Sequence, residues 1–339
     1  MKKLLSAVLI LTLAIGLFAS CGGIAYASDT APSSNLHIVT TIFPIYDWVM
    51  NILGEQAADT EVTMLLDNGV DLHSYQPTAD DIVRISSCDL FIYVGGESDE
   101  WVEDVLQEAT NKNMAVINLM EVLGDSVKEE EIVEGMEHDH NHEHEEEHDH
   151  EEEHDHEHEE VEYDEHVWLS LKNAAVLCRA ISDTLGQIDS DNAARYAVNV
   201  DTYIEKLSTL DAQYRTAVGS AVYHTLLFGD RFPFRYLADD YALDYYAAFV
   251  GCSAETEASF ETIIFLAGKL DELGLPAVLQ IESADGSIAR TIVASTKSGD
   301  QQILTMDSMQ STTAKDVAAG ASYLSTMEKN LDVLKVALG

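Results

Sequence analysis

Between Asp191 and about Tyr214, the residues Tyr196, Val200, Tyr203, Leu207, Leu210 and Tyr214 recur at alternating steps of four and three. That spacing puts all six on one stripe of a single long amphipathic helix. At ~1.5 Å per residue the helix spans roughly 35–40 Å, enough to tie two lobes together. On both sides of it the chain alternates short apolar strands with amphipathic helices. Upstream, Leu36 to Thr41, Val62 to Leu66, Leu90 to Val94 and Ala115 to Leu119 read as strands. Helices fall between them, from Ile45 to Leu53, from Thr78 through Ile85 and from Val102 to Ala109, with Thr78 and Asp81 spaced as a capping box. Downstream, strands are expected at Ala221 to Phe228, Tyr245 to Phe249, Ala277 to Ile281 and Gln302 to Met306. Their helices are Phe234 to Tyr241, Phe260 to Leu273, Ser287 to Ser295 and a closing one over Ala314 to Leu338. The expected fold is α/β, with two lobes that each hold a mainly parallel sheet flanked by helices, joined by one long rigid linker helix. The lobes cover 36–188 and 219–339, and the linker covers 189–218.

The first twenty residues have the form of an export signal. Lys2 and Lys3 precede an apolar run from Leu4 to Phe18, too short for a permanent span. A cut after Ala19 and Ser20 would leave Cys21 first, an arrangement that resembles a bacterial lipobox with Cys21 as the lipidated residue. Residues 21–35 are small and polar, suited to a flexible tether. With Cys21 consumed, Cys88, Cys178 and Cys252 remain, dispersed and without metal-ligand spacing. Cys88 and Cys178 sit in apolar surroundings and read as core residues.

The formal net charge is −43, which excludes nucleic acid as a natural partner. About half of it comes from Glu129 to Glu165, a stretch without Lys or Arg. Within this acidic loop, 129–162, nine histidines crowd into twenty-one positions: His138, His140, His142, His144, His148, His150, His154, His156 and His158. No apolar residue lies among them, so the tract has nothing to bury. Imidazole is a ligand for zinc, copper and nickel, and the interleaved carboxylates lower the cost of bringing in a dication. The tract is expected to bind several ions weakly, since ordering entropy opposes each one.

Ligands in α/β sheets collect beyond the carboxyl ends of strands. Four residues meet that condition as metal-ligand candidates. His73 lies in DLHSYQPT after a strand, His166 in DEHVWLSLKNA before a helix, Asp230 after the strand LLFG, and Asp307 after QILTM.

The segments IVTTIFPIYDWV, DLHSYQPTADDI, CDLFIYVGGESDEW, DEHVWLSLKNA and the closing DSM with SYLSTMEKNLDVL resemble a known family over nearly the whole exported length. It is that of the zinc- and manganese-binding lipoproteins of bacterial ABC importers, the cluster with a rigid helical linker. The resemblance implies that His73, His166 and Asp307 are metal ligands and that the acidic tract is the family's zinc-associated loop. It also implies an ABC permease as partner, an extracytoplasmic location anchored through lipid on Cys21, and a monomer. In the family a His, or a Glu in manganese binders, follows the strand that here ends Leu227-Phe228. This chain has Gly229 and then Asp230. Either Asp230 reaches the metal, or it pairs with Arg231 and the site is completed by Glu282, His224 or water. The cargo expected is Zn2+, with Mn2+ left open by an oxygen-rich ligand set.

Two other functions compete with import. A zinc hydrolase needs an open coordination position and a general base, and only Glu282 is a nominal candidate, with no HExxH motif. A surface metal buffer would use the tract alone, with the body as scaffold. A site closed by four protein ligands leaves no place for activated water, so no catalysis is expected.

Overall fold

The computed structural model describes residues 36–136, 162–253 and 257–339. Strands β1 (Leu36–Thr40), β2 (Thr60–Met64), β3 (Leu90–Tyr93) and β4 (Ala115–Asn118) form one sheet in the order β2-β1-β3-β4. Strands β5 (Thr225–Phe232), β6 (Asp244–Val250), β7 (Ala277–Ile281) and β8 (Gln302–Met306) form the second, in the order β6-β5-β7-β8. Every pairing is parallel. The two sheets therefore share one winding, with β2 and β6 in equivalent outer positions beside β1 and β5. In each, the winding reverses at a central pair, β1/β3 and β5/β7. The crevice that receives ligands opens at the carboxyl end of such a pair.

Helices α1 (Phe43–Leu53), α2 (Ala79–Ser87), α3 (Trp101–Gln107) and α4 (Leu119–Leu123) serve the first sheet. The capping box at the start of α2 is present, Thr78 Oγ1 accepting from Asp81 N and the Asp81 carboxylate accepting from Thr78 N. Helices α5 (Leu171–Ile188) and α6 (Ala193–Gly219) follow, and α6 is the long helix read from the stripe, 27 residues long. All six stripe residues are buried. Helices α7 (Arg235–Tyr241), α8 (Phe260–Leu273) and α9 (Ser287–Ser295) serve the second sheet. The core is continuous across both halves: Ile38 and Leu90 of the first sheet, Leu207 of α6, and Phe228 and Leu279 of the second belong to one buried cluster. Cys88 and Cys178 are buried within it, as expected. No helix of the described residues is long and apolar enough to cross a membrane.

Two elements differ from the sequence reading. The single closing helix is two, α10 (Ala314–Ala318) and α11 (Tyr323–Leu338). Gly320 takes a φ of +98°, which a helix cannot include, and Ser322 then caps a new helix by accepting from Ser325 N. Strand β5 begins four residues later than Ala221 and does not stop at Phe228. It runs through Gly229, Asp230 and Arg231 to Phe232, with a register irregularity against β6 between Phe228 and Arg231. Asp230 thus lies inside the strand rather than after it.

Asp47 on α1 is buried where three helices meet. Its Oδ2 accepts from Tyr203 Oη of α6 at 3.2 Å and from Tyr323 N of α11 at 3.2 Å. Burial pushes its carboxyl up to about 6, against the pull of those two hydrogen bonds. The folded chain thus holds this proton more tightly than the unfolded chain, whose carboxyl titrates near ~3.9. Asp47 therefore weakens folding progressively as pH rises from about 4 through about 6, with the full cost standing above that. We expect Asp47→Asn to raise unfolding stability by about 1–2 kcal/mol at pH 8 and by almost nothing near pH 4. Urea denaturation of both proteins at the two pH values checks this, and a gain independent of pH would contradict it.

Candidate metal centre

The loop after β2 first continues the sheet, with Leu65 and Leu66 donating to the carbonyls of Thr40 and Thr41. It then closes into a short turn over Leu72–Ser74, capped by Asp71, whose carboxylate accepts from His73 N at 3.1 Å. Leu72 is buried and anchors the turn. His73 is thereby aimed at the second imidazole. His166 precedes the turn Val167–Leu169, all three of whose residues are buried, and Ser170 then caps α5. His166 itself is fully buried, with its ring 5.3 Å from that of Trp168.

The two imidazoles meet Nε2 to Nε2 at 3.2 Å. Each is steered by its other nitrogen. His166 Nδ1 lies 3.0 Å from Asp164 Oδ1, which also accepts from His166 N at 2.8 Å. His73 Nδ1 lies 2.8 Å from Ser98 Oγ and 3.3 Å from Glu165 Oε2. Glu165 is held in turn by Ser98 N, which donates to its Oε1 at 2.8 Å. Gly96 leaves room for that carboxylate, because a Cβ there would come within 2.4 Å of Glu165 Oε1. A carboxylate accepts only, so the neutral His166 ring carries its hydrogen on Nδ1 and leaves Nε2 as the atom that can bind a metal.

The charges are balanced for a cation. Burial opposes a proton on His166 more than any other influence does. The Asp164 carboxylate, its hydrogen bond and Glu165 together still raise the imidazole above its usual value. Burial likewise works to raise the Glu165 carboxyl, but His73 and Ser98 bring it below the ordinary range. Beside the pair, Asp71 Oδ2 meets Arg231 Nη2 at 2.6 Å, which ties the loop after β2 to strand β5.

Among the described residues, one group of three donors lies close enough to share an ion. It is His73, His166 and Cys252, whose ligand atoms all fall within 4.8 Å of one another. In a tetrahedral site with metal–nitrogen bonds of ~2.0–2.1 Å, two imidazole nitrogens stand about 3.3 Å apart. The 3.2 Å between the two Nε2 atoms matches that spacing.

The other candidates take different positions. Asp230 accepts from Arg231 N at 2.8 Å and from Ile281 N at 3.1 Å, so both oxygens brace the β5 irregularity. Arg231 turns from Asp230 to Asp71 and to the carbonyl of Ser253. Asp307 and Glu282 line a separate cavity with Thr326 and Lys329. Burial and the neighbouring Glu282 raise Asp307 to about 6. Glu282 accepts from Ser308 N, Ser308 Oγ and Ser311 Oγ. His224 precedes β5, at the amino edge of its sheet, where its carbonyl accepts from Asp244 N. Cys21 and the nine tract histidines lie outside the described residues. The two ends of the tract, however, are joined: Glu130 N donates to Glu162 O, and Asp164 N to Lys128 O, at 2.9 Å each. The tract is therefore rooted two residues from His166.

Sequence reasoning missed Cys252, Asp164, Glu165 and Ser98. The carboxylates were visible in the quoted segment DEHVWL, as the residues directly before the ligand candidate. Cys252 follows β6 as His73 follows β2, so applying the strand-end rule to every strand of both halves finds it.

The family described as zinc-uptake complex component A periplasmic (ZnuA) matches residues 38–337. A zinc-binding protein AdcA from Streptococcus pyogenes serotype M3 is 28% identical over 310 residues, covering 91% of this chain and 57% of that protein. The chain thus spans little more than half of that relative's length. The high-affinity zinc uptake system protein ZnuA of Bacillus subtilis is 28% identical over 323 residues, covering 95% and 94% of the two chains. A crystal structure of the Zn(II)-bound ZnuA-like domain of Streptococcus pneumoniae AdcA superposes with a TM-score of 0.67. It is 26% identical and covers 90% of this chain and 99% of that one.

Removing the brace on His166 tests the centre. We expect Asp164→Ala to weaken binding of a transition-metal dication by about 10–100-fold while leaving the fold intact. Competition against a chelating dye measures the change, with circular dichroism as the fold control. Affinity within twofold of the parent would contradict the role given to Asp164.

Proposed function

We propose, on the premise that the chain belongs to the zinc-uptake complex component A family, that this protein captures zinc on His73 and His166 and delivers it to an ABC permease. The observation that carries this reading is the pair of Nε2 atoms facing each other at 3.2 Å, each imidazole steered from behind by a hydrogen-bond partner on its Nδ1. Imidazole suits zinc, whereas manganese favours carboxylate and water, so zinc is the cargo. Asp307 is the oxygen donor that the resemblance assigns to the second half, and Asp230 is the candidate for the position where this chain departs from the family with Gly229. For them to join, the β5 irregularity must release Asp230, and Asp307 must leave the cavity it shares with Glu282.

The protein acts outside the cytoplasm as a lipid-anchored monomer, held to the membrane through Cys21. The acidic tract gathers ions at the root of the site, which supports a role in loading rather than in tight binding. The protein is a carrier and not an enzyme. Glu282, the nominal base of a hydrolase, has its carboxylate engaged by Ser308 and Ser311, in a cavity apart from the imidazoles.

Zinc titration of protein lacking residues 137–161 tests the reading. One tight site should remain, and His73→Ala or His166→Ala should each weaken it by about 100-fold or more. Thermal unfolding of the metal-free variants should stay close to that of the parent. Near-parental zinc affinity in both variants would overturn the assignment.

A further inference from the structure

The geometry points to Cys252 as the third protein ligand of the ion, a thiolate donor from the second half that makes the site selective for zinc over manganese. This inference rests on the transport reading and specifies its ligand set. Cys252 belongs to the one donor group among the described residues whose atoms can share an ion with both imidazoles. It reaches that position from the loop after β6, the strand of the second sheet equivalent to β2, whose loop carries His73. The two halves thus supply their donors from corresponding points of one winding.

The backbone around Cys252 is fixed from several directions. Cys252 N donates to Glu130 Oε1 at 3.0 Å, from the segment at the root of the tract. The carbonyl of the next residue accepts from Arg231 Nη1 at 3.2 Å, and the same guanidinium holds Asp71 beside His73. Before it, Gly251 lies against the His166 ring: a Cβ there would stand 3.1 Å from Cε1 and 2.9 Å from the Phe232 carbonyl. Any larger residue would push the loop, and the thiol with it, away from the imidazoles. Asp230 stands outside that donor group, with its two oxygens turned to Arg231 N and Ile281 N.

On binding, zinc takes the thiol's sulfur as thiolate, and the proton passes to solvent. Two imidazoles and one thiolate form a soft set that favours zinc strongly over manganese. The fourth position is open to Asp307 or water.

Cobalt(II) on the full chain reads this directly, since a sulfur-to-cobalt charge-transfer band reports a thiolate ligand. The tract from His138 to His158 holds no cysteine and is silent in that band. We expect the band to saturate at one equivalent of cobalt and to vanish when zinc is added. In Cys252→Ser the band should be lost, zinc affinity should fall at least about tenfold, and manganese affinity should barely change. Tight zinc binding without the band, unchanged in Cys252→Ser, would overturn Cys252 as ligand and leave the transport reading standing. Absence of tight zinc binding in the parent chain would overturn both. Unaltered thermal unfolding of metal-free Cys252→Ser separates lost coordination from lost fold.

Discussion

The space between two imidazoles held Nε2 to Nε2 at 3.2 Å takes either a proton, shared as a hydrogen bond, or a cation that displaces it. The rest of the structure works to keep them there. Asp164 fixes the His166 ring from behind, and Ser98 with Glu165 fixes His73. Trp168 packs beside the His166 ring, and the backbone at Gly251 closes against it. Both rings are thus held by their neighbours rather than left free to rotate. A dication gains from that, because the ordering of its ligands has already been met by folding.

Rigidity at the site depends on how the two sheets are fastened. Helix α6 lays its buried stripe along a core that both sheets share. Asp47, Tyr203 and Tyr323 join α1, α6 and α11 at a buried point. Trp168 Nε1 donates to Ser308 O at 2.8 Å, and Tyr236 Oη to Asp164 O at 2.8 Å, so both ends of the His166 segment are fixed to the second half. Asp71 and Arg231 do the same for the His73 loop. Trp168, Asp164 and Asp71 each lie two residues from His166 or His73, which couples metal binding to how the halves meet.

Much of this was legible in the sequence because it depends on periodicity and on local chemistry. The stripe from Tyr196 to Tyr214 specified α6, and the Thr78–Asp81 spacing specified the start of α2. Alternation of apolar strands and helices specified parallel sheets. What was not legible depended on tertiary pairing. β5 continues past Phe228 because β6 pairs with it again at Arg231 and Phe232, and sequence pattern alone does not register an irregular strand. The same irregularity turns Asp230 onto backbone N–H groups. Cys252 looked like an isolated cysteine, since its neighbours His73 and His166 are distant in sequence and meet it only when both sheets are built.

Anomalous diffraction at the zinc edge tests the central claim most directly, on crystals of the zinc-loaded protein without residues 137–161. The account predicts one strong peak between His73 Nε2 and His166 Nε2, at ~2.0–2.1 Å from each. A peak in the cavity of Asp307 and Glu282, with both imidazoles unliganded, would contradict it.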